Sequence, residues 1–321
     1  PRSCGEPSIM TSRTLTRVLV TGGAGFIGSN LVRVVRETTG AEVVVLDNLS
    51  SGYRENLDGQ RVTFMQGDVR DAEAVRSAID GCDTVFHLAA SVGNTRSIDH
   101  PVTDSEINVL GTLHVLEAAR HAGAGKVVYS SSAGIFGELK TLPIREDHPI
   151  DPDTPYGASK LAGEKLCLAY AKLYPLECVA LRYFNVYGPH QRYDAYGNVI
   201  PIFAHRALRG EPITIYGDGE QTRDFVNVRD VAAANLAAAR TAGVSGAFNI
   251  ASGTRITINR LADLVVAASG GRSTIRHGDP RKGDVRHSLA DISAARDAFG
   301  YAPNVTLGAG RPRHSRQTSM A

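Results

Sequence analysis

The sequence predicts an α/β fold, a Rossmann-like doubly wound parallel sheet with a smaller mixed α/β substrate domain. Three observations carry this. Short apolar runs alternate with amphipathic stretches over residues 17–185. A glycine-rich loop closes the first apolar run and opens the first amphipathic stretch. Asp47 ends the second apolar run, nineteen residues after Gly28. Strand, helix, strand in this rhythm builds a parallel sheet with right-handed crossovers and helices on both faces.

Residues 17–22, RVLVTG, read as a buried strand stopped by glycine. Residues 27–37 place Ile27, Leu31, Val34 and Val35 at helical spacing. Strands are predicted at 41–48 and 62–68, a helix at 71–80 and a strand at 83–90. A long helix is predicted over 104–122, then a strand at 126–132, a helix at 156–174 and a strand at 176–185. Beyond Asn185 the rhythm changes: GPHQRYDAYGN is rich in turn residues and later strands such as ITIYGD are short. One domain is therefore expected over 17–185 with about 226–250, and a second over about 186–225 and 251–307. A substrate would lie in the cleft between them. Residues 1–16 and 308–321 lack an apolar face and are expected to be flexible tails.

Composition narrows the function. The 321 residues are 42% hydrophobic and 21% charged, as in ordinary globular proteins. Lys and Arg total 35 against 33 Asp and Glu, too balanced for a typical nucleic-acid binder. No run of about eighteen apolar residues occurs, so no membrane span is expected. Cys4, Cys82, Cys167 and Cys178 are scattered without CxxC spacing. That argues against a metal site or a disulfide framework and fits a cytoplasmic location.

Thr21 to Gly28 read TGGAGFIG, a GxxGxxG variant of the dinucleotide fingerprint. Gly22 permits the turn, Gly25 lets a pyrophosphate approach backbone N–H groups, and Gly28 lets helix and strand pack closely. Phe26 and Ile27 complete the loop. The Asp47 carboxylate can accept both adenosine ribose hydroxyls and would repel a 2′-phosphate. Asn48, not Arg, follows it, so the expected cofactor is NAD. Asp68 and Val69 follow the third strand, and Leu88, Ala89 and Ala90 end the fourth, where strand ends line a cofactor crevice. Asp68 could equally cap a helix.

Tyr156 and Lys160 form YxxxK on one helix face. A free phenol titrates near about 10, but a neighbouring ammonium stabilises the phenolate. The pair can then supply a general base, with Lys160 also placed to hold the nicotinamide ribose. YxxxK alone is common on helix surfaces. Here Ser130, Ser131 and Ser132 end the preceding strand, where Ser130 can line the cofactor and Ser132 can bridge to a substrate oxygen.

This combination resembles the extended short-chain dehydrogenase/reductase family, and within it the nucleotide-sugar 4-epimerases. The resemblance spans about residues 17–305, through TGGAGFIGSN, DNLSSG, GDVRD, HLAA, YSSSA, PYGASK, RYFNVYGP, GDGEQTRDFVNVRDVA and RKGDVRHSLAD. It implies tightly held NAD, reduced and reoxidised within one turnover. It implies Ser132, Tyr156 and Lys160 as the catalytic set, with Asn108 and Tyr183 near the cofactor. It implies Arg223 and Arg281 on the diphosphate of a UDP-sugar, Asn185 on sugar and diphosphate, and Thr214, Tyr216 and Asp284 in the nucleotide pocket. It also implies a homodimer through the helices near 104–122 and 156–174.

Related 4,6-dehydratases carry an Asp-Glu pair just after the serine run and related decarboxylases a Glu. Ala133 and Gly134 stand there instead, which favours simple epimerisation. Arg192 falls where uronate epimerases tend to have Arg, so it could pair with a C6 carboxylate. Ser288 falls where some galactose epimerases have Tyr, which leaves room for a larger sugar. SVGNTRS replaces the family's usual SVPRS segment at 91–97. UDP-glucuronate to UDP-galacturonate is the expected reaction. UDP-glucose or UDP-N-acetylglucosamine epimerisation is the alternative, ahead of a 4,6-dehydratase, a decarboxylase or a non-catalytic NAD-binding protein.

Overall fold

The computed structural model describes residues 11–193, 198–280 and 285–308. The strands in chain order are β1 (Arg17–Thr21), β2 (Glu42–Asp47), β3 (Thr63–Gln66), β4 (Thr84–His87), β5 (Lys126–Ser132) and β6 (Glu177–Tyr183). Then come β7 (Asn185–Tyr187), β8 (Ile213–Tyr216), β9 (Thr222–Arg223), β10 (Phe225–Asn227), β11 (Gly246–Ile250), β12 (Ile256–Thr257) and β13 (Ile275–Gly278). The central sheet has seven strands in the order β11-β6-β5-β4-β1-β2-β3. All its pairings are parallel. The chain leaves β1 toward β2 and β3, then crosses to β4 on the other side of β1. That reversal opens a crevice at the carboxyl ends of β1 and β4, where ligands of open α/β sheets bind.

Because both faces are covered, the strands are apolar without alternation, and successive side chains enter opposite layers. Val18, Val20, Val43 and Val45 pack into one layer, while Leu19, Val44 and Leu46 pack into the other. Ten α-helices occur among the described residues: α1 (Phe26–Thr38), α2 (Ala72–Ile79), α3 (Asn94–Asp99), α4 (Pro101–Ser105) and α5 (Gly111–Ala122), then α6 (Pro155–Leu173), α7 (Val199–Leu208), α8 (Val228–Arg240), α9 (Ile258–Ala268) and α10 (Ser293–Phe299). Leu31 and Val35 of α1 and Val231 of α8 line the first layer. Val75 of α2, Leu116 of α5 and Cys167 of α6 line the second. Beyond β6, three two-stranded sheets pair β10 with β7, β12 with β9 and β13 with β8.

Two expectations are corrected. The single helix predicted over 104–122 is α4, then a π-helical turn Glu106–Leu110, then α5. Apolar periodicity does not register one extra residue in a turn. Residues 11–16 are also not a free tail. Ser12 bridges to Thr241, and the Arg13 N–H donates to Arg240 O at 2.6 Å. Leu15 is buried, and the Thr16 N–H and hydroxyl both donate to Asp83 Oδ2 at 2.6 Å. A short edge pairing needs no apolar pattern of its own, so the sequence carried no sign of it.

Candidate active site

The glycine loop lies in the β1–β4 crevice. Gly22 takes φ 69°, and a Cβ there would sit 2.7 Å from the Ala89 nitrogen. A Cβ on Gly28 would overlap the carbonyl oxygen of Gly22. These two glycines let the loop close on itself and on the end of β4. Gly25 differs, because a Cβ there would meet only Gly22 O, at 3.1 Å. Gly25 opens the first turn of α1, which holds no acidic residue and has no side-chain cap. Free N–H groups and the positive helix end favour a pyrophosphate at that point.

Asp47 is buried at the end of β2. Its Oδ2 accepts the Ala24 N–H at 2.9 Å and its Oδ1 the Leu49 N–H at 2.8 Å. The expected ribose reader is therefore also a strut of the loop, and each oxygen retains acceptor capacity for a ribose hydroxyl. Asn48 Nδ2 donates to Asp68 Oδ2 at 2.8 Å. The Arg70 guanidinium clamps Asp68 and holds its carboxyl down at about 2. Asp68 is not a helix cap: Asp71 caps α2, accepting from Glu73 and Ala74 N–H groups. Val69 is buried against Gly111. The Leu88 N–H donates to Thr21 O at 3.1 Å and the Ala89 N–H to Thr21 Oγ1 at 3.2 Å, while Ala90 follows half-buried. Sequence reasoning missed the clamp on the loop's far side, where the Tyr53 N–H and Asn56 Nδ2 both donate to Ala24 O. An open cradle at Gly25, an uncapped helix end and a buried carboxylate fit NAD.

Thr154 caps α6 by accepting the Gly157 N–H at 3.2 Å, and Pro155 occupies its first turn. This starts the helix beside the end of β5. The Tyr156 side chain lies beside that of Ser132, which lowers its phenol, and Ser132 Oγ accepts the Gly134 N–H at 3.1 Å. Lys160, only 2% exposed, donates to Ser130 Oγ at 3.4 Å and lies 4.4 Å from the Tyr129 ring centre. Burial pushes Lys160 down to about 7. The expected lowering of Tyr156 does not occur in the protein alone. Burial raises its phenol, the Ser132 hydrogen bond lowers it and the Asp104 charge raises it. The reason is that a buried ammonium is itself disfavoured, so it is a weak source of stabilisation for a phenolate.

Asn108, buried on the π-helical turn, is a brace: it bonds the Ser91 backbone in both directions and donates to Ser159 Oγ at 3.0 Å. Tyr183 ends β6 opposite Ser132, but its hydroxyl donates into the core, to Asn235 at 2.9 Å. A second missed residue is His87, buried at the end of β4 between Thr21 Oγ1 at 2.7 Å and Thr112 Oγ1 at 3.0 Å. Burial lowers it to about 3, so it is neutral. A lone His in an apolar strand gave no signal.

A cavity of about 340 Å³ is lined by residues beyond β6. Of the expected substrate residues, Asn185, Thr214, Tyr216 and Arg223 line it. Asn185 Nδ2 donates to Asp224 O at 3.0 Å. Gln191, Asn198, Phe203 and Arg206 also line it and were not anticipated, since they belong to no compact motif. Arg206 Nη1 donates to Thr214 Oγ1 at 3.1 Å. Arg192 is exposed next to Gln191 and is not on the cavity wall. Ser288 is buried, its N–H donating to Thr222 O at 3.1 Å, and is also off the wall. Arg281 and Asp284 lie outside the described residues. Among the described residues, no group of three His, Cys, Asp or Glu could hold a metal ion, and no helix is long and apolar enough to cross a membrane.

A phenol beside a serine hydroxyl, with an amine one helical turn further on, can couple proton transfer to hydride transfer. A family model described as the NAD dependent epimerase/dehydratase family matches residues 18–251. The UDP-glucose 4-epimerase of Mycolicibacterium smegmatis is 40% identical over 301 residues, 92% of this chain and 96% of that protein. The structure of UDP-glucose 4-epimerase from Thermotoga maritima with UDP-glucose is 39% identical at a TM-score of 0.85, covering 91% of this chain and 95% of that one. MoeE5, solved with UDP-glucuronic acid and NAD, is 36% identical at a TM-score of 0.80, with 91% and 95% covered. This chain therefore belongs to the NAD-dependent epimerase/dehydratase family of extended short-chain dehydrogenases/reductases, and its cofactor is NAD.

Proposed function

We propose that the protein is a UDP-sugar 4-epimerase with Ser132, Tyr156 and Lys160 as its catalytic set. The observation that carries this is the turn after Ser132. Ala133–Ile135 bends beside Tyr156, and a Cβ on Gly134 would lie 3.6 Å from Tyr156 Cε1. No acid stands on that turn to drive loss of water or carbon dioxide. Bound NAD supplies the acceptor, and later the donor, for the hydride at sugar C4. Tyr156 takes the O4 proton as C4–H leaves, while Ser132 shares the hydrogen bond to O4. Lys160 steadies the phenolate and the nicotinamide ribose. The resulting 4-keto sugar turns over while Arg223 and Asn185 keep the diphosphate in place, and Tyr156 returns the proton once hydride reaches the other face. Arg suits the diphosphate because its planar fork binds phosphate oxygens in pairs. In this reading residues 17–185 with 226–250 form the NAD domain, residues 186–225 and 251–307 form the sugar domain, and the active species is a homodimer.

UDP-glucuronate is the substrate we assign. Arg192, on the loop beside Gln191, falls by sequence where a C6 carboxylate would be read, and the related MoeE5 is solved with UDP-glucuronic acid as well as with UDP-glucose. A 4-keto uronate is a β-keto acid, and a paired guanidinium would keep its carboxylate out of line with the carbonyl. The second reading is a neutral UDP-hexose, favoured by the position of Arg192 off the cavity wall. Incubation with UDP-glucuronate, UDP-glucose and UDP-N-acetylglucosamine separately, followed by proton NMR of the sugars, decides between them. Conversion of the uronate, with selective loss in Arg192→Ala, is expected. Equal losses on uronate and neutral sugar would remove Arg192 as a carboxylate reader.

A further inference from the structure

We propose that Asp104 is a positioning residue of the catalytic helix: its carboxylate pins the first turn of α6 and serves as the counter-charge of Lys160. The inference rests on the catalytic reading of Tyr156 and Lys160. Asp104 lies on α4 and is completely buried, at 0% exposure. Its Oδ2 is 2.5 Å from Ser159 Oγ, and its Oδ1 has no hydrogen-bond partner among the described residues.

Ser159 stands between Tyr156 and Lys160. Its Oγ also lies 3.0 Å from Asn108 Nδ2 and 3.1 Å from Tyr156 O. Asn108 can only donate there, so the single hydroxyl proton is available for Asp104, an acceptor made strong by its charge. Asn108 in turn holds the Ser91 backbone. One junction thus ties α4, the π-helical turn and the loop after β4 to α6, at the turn that carries the catalytic pair.

A buried carboxylate with an unbonded oxygen is costly unless a cation balances it. The titratable or charged groups that act on Lys160 come from four elements: Tyr129 on β5, His87 on β4, Cys167 and Glu164 on α6, and Asp104 on α4. Glu164 is already matched, with Arg182 bonding it at 3.1 and 2.7 Å and Ser131 donating at 2.7 Å. His87 is neutral and burial keeps Cys167 as a thiol. Asp104 is the carboxylate left for Lys160 among them. It also acts on Tyr156, whose other polar side-chain partner is Ser132. A negative charge here keeps the proton on Lys160 and on the Tyr156 phenol alike, so it moves both titrations upward.

The test compares Asp104→Asn with Ser159→Ala. Asn is isosteric, keeps an oxygen for the Ser159 hydroxyl and removes only the charge. Both limbs of the pH–rate profile of Asp104→Asn should move about one unit toward acid, with about tenfold loss of kcat at the wild-type optimum and unchanged KM. Ser159→Ala should lower kcat without moving either limb. An Asp104→Asn profile that superimposes on the wild type overturns the counter-charge role. Should Asp104→Asn fail to fold, Asp104→Ser, neutral and smaller, must give the same displacement. The catalytic reading fails separately, and only if Tyr156→Phe still turns over.

Discussion

The glycine loop and the cavity beyond β6 are built by different means. In the loop main chain closes on main chain: a Cβ on Gly22 would meet the end of β4, one on Gly28 would overlap Gly22 O, and one on Gly25 would meet only Gly22 O, at 3.1 Å. The cavity is lined by side chains from β7, α7, β8, β9, β10 and α9 across residues 185–258. Main-chain recognition needs consecutive residues in one conformation and so leaves a compact motif. Side-chain recognition needs only proximity in space, so its residues are dispersed. Tyr156 belongs to neither region: it starts α6 beside Ser132 and Gly134.

The largest effect is expected at the start of α6, outside both regions. Tyr156→Phe should retain bound NAD and lose roughly 10²–10⁴ in turnover, the usual worth of a positioned acid–base group. NMR turnover together with NAD released on denaturation checks this, and wild-type activity would discard the mechanism. In the cavity, Arg223→Ala should raise KM for the UDP-sugar about 10- to 100-fold, the worth of hydrogen bonds to a charged group. Bound NAD content should not change. A variant that loses NAD as well as UDP-sugar would mean the regions are less separate than drawn here.

Within the loop, Gly28→Ala should cost roughly 1–3 kcal/mol of stability, because backbone must move to admit the methyl group. Gly25→Ala, whose methyl group would meet only Gly22 O at 3.1 Å, should lower the melting temperature less than Gly28→Ala while weakening NAD binding. Equal melting shifts would erase the division of tasks among the glycines. The smallest effect concerns pH. Lys160 titrates at about 7 in the fold against an ordinary value of 10.5. The unfolded chain then holds one more proton between those values, so NAD-free protein gains stability as pH rises from about 7 to about 10. Melting curves of wild type against Lys160→Met test the sign, and an identical pH slope in both would assign the effect to other groups.

Much of the cofactor half was legible in the sequence because its cues are local. The apolar runs at 17–22 and 41–48, the glycines and Asp47 each depend on neighbours a few residues away. Ser132, Tyr156 and Lys160 were legible as a spacing, and β5 and α6 bring them together. Less of the sugar half was legible. Arg206 reaches the cavity through its contact with Thr214, and Gln191 through the turn that follows β7, neither of which periodicity encodes. Asn108 was expected near the cofactor, but its bracing of Ser91 and Ser159 was not, and Asp104 gave no signal because its partner Ser159 lies 55 residues away in the chain.

The sequence by itself determined the parallel sheet, the dinucleotide loop and the preference for NAD, and it supplied the spacing of Ser132, Tyr156 and Lys160 on which the proposed chemistry rests. Backbone conformation and apolar burial follow from residue type and short-range order. Only the tertiary structure decided that Asp47 shapes the loop it serves, that Tyr183 turns its hydroxyl into the core, and that burial leaves Tyr156 unactivated in the protein alone. Only it placed a buried carboxylate beside the catalytic pair. Protonation and hydrogen-bond partners depend on desolvation and on groups distant in the chain, which exist only once the fold has brought them together.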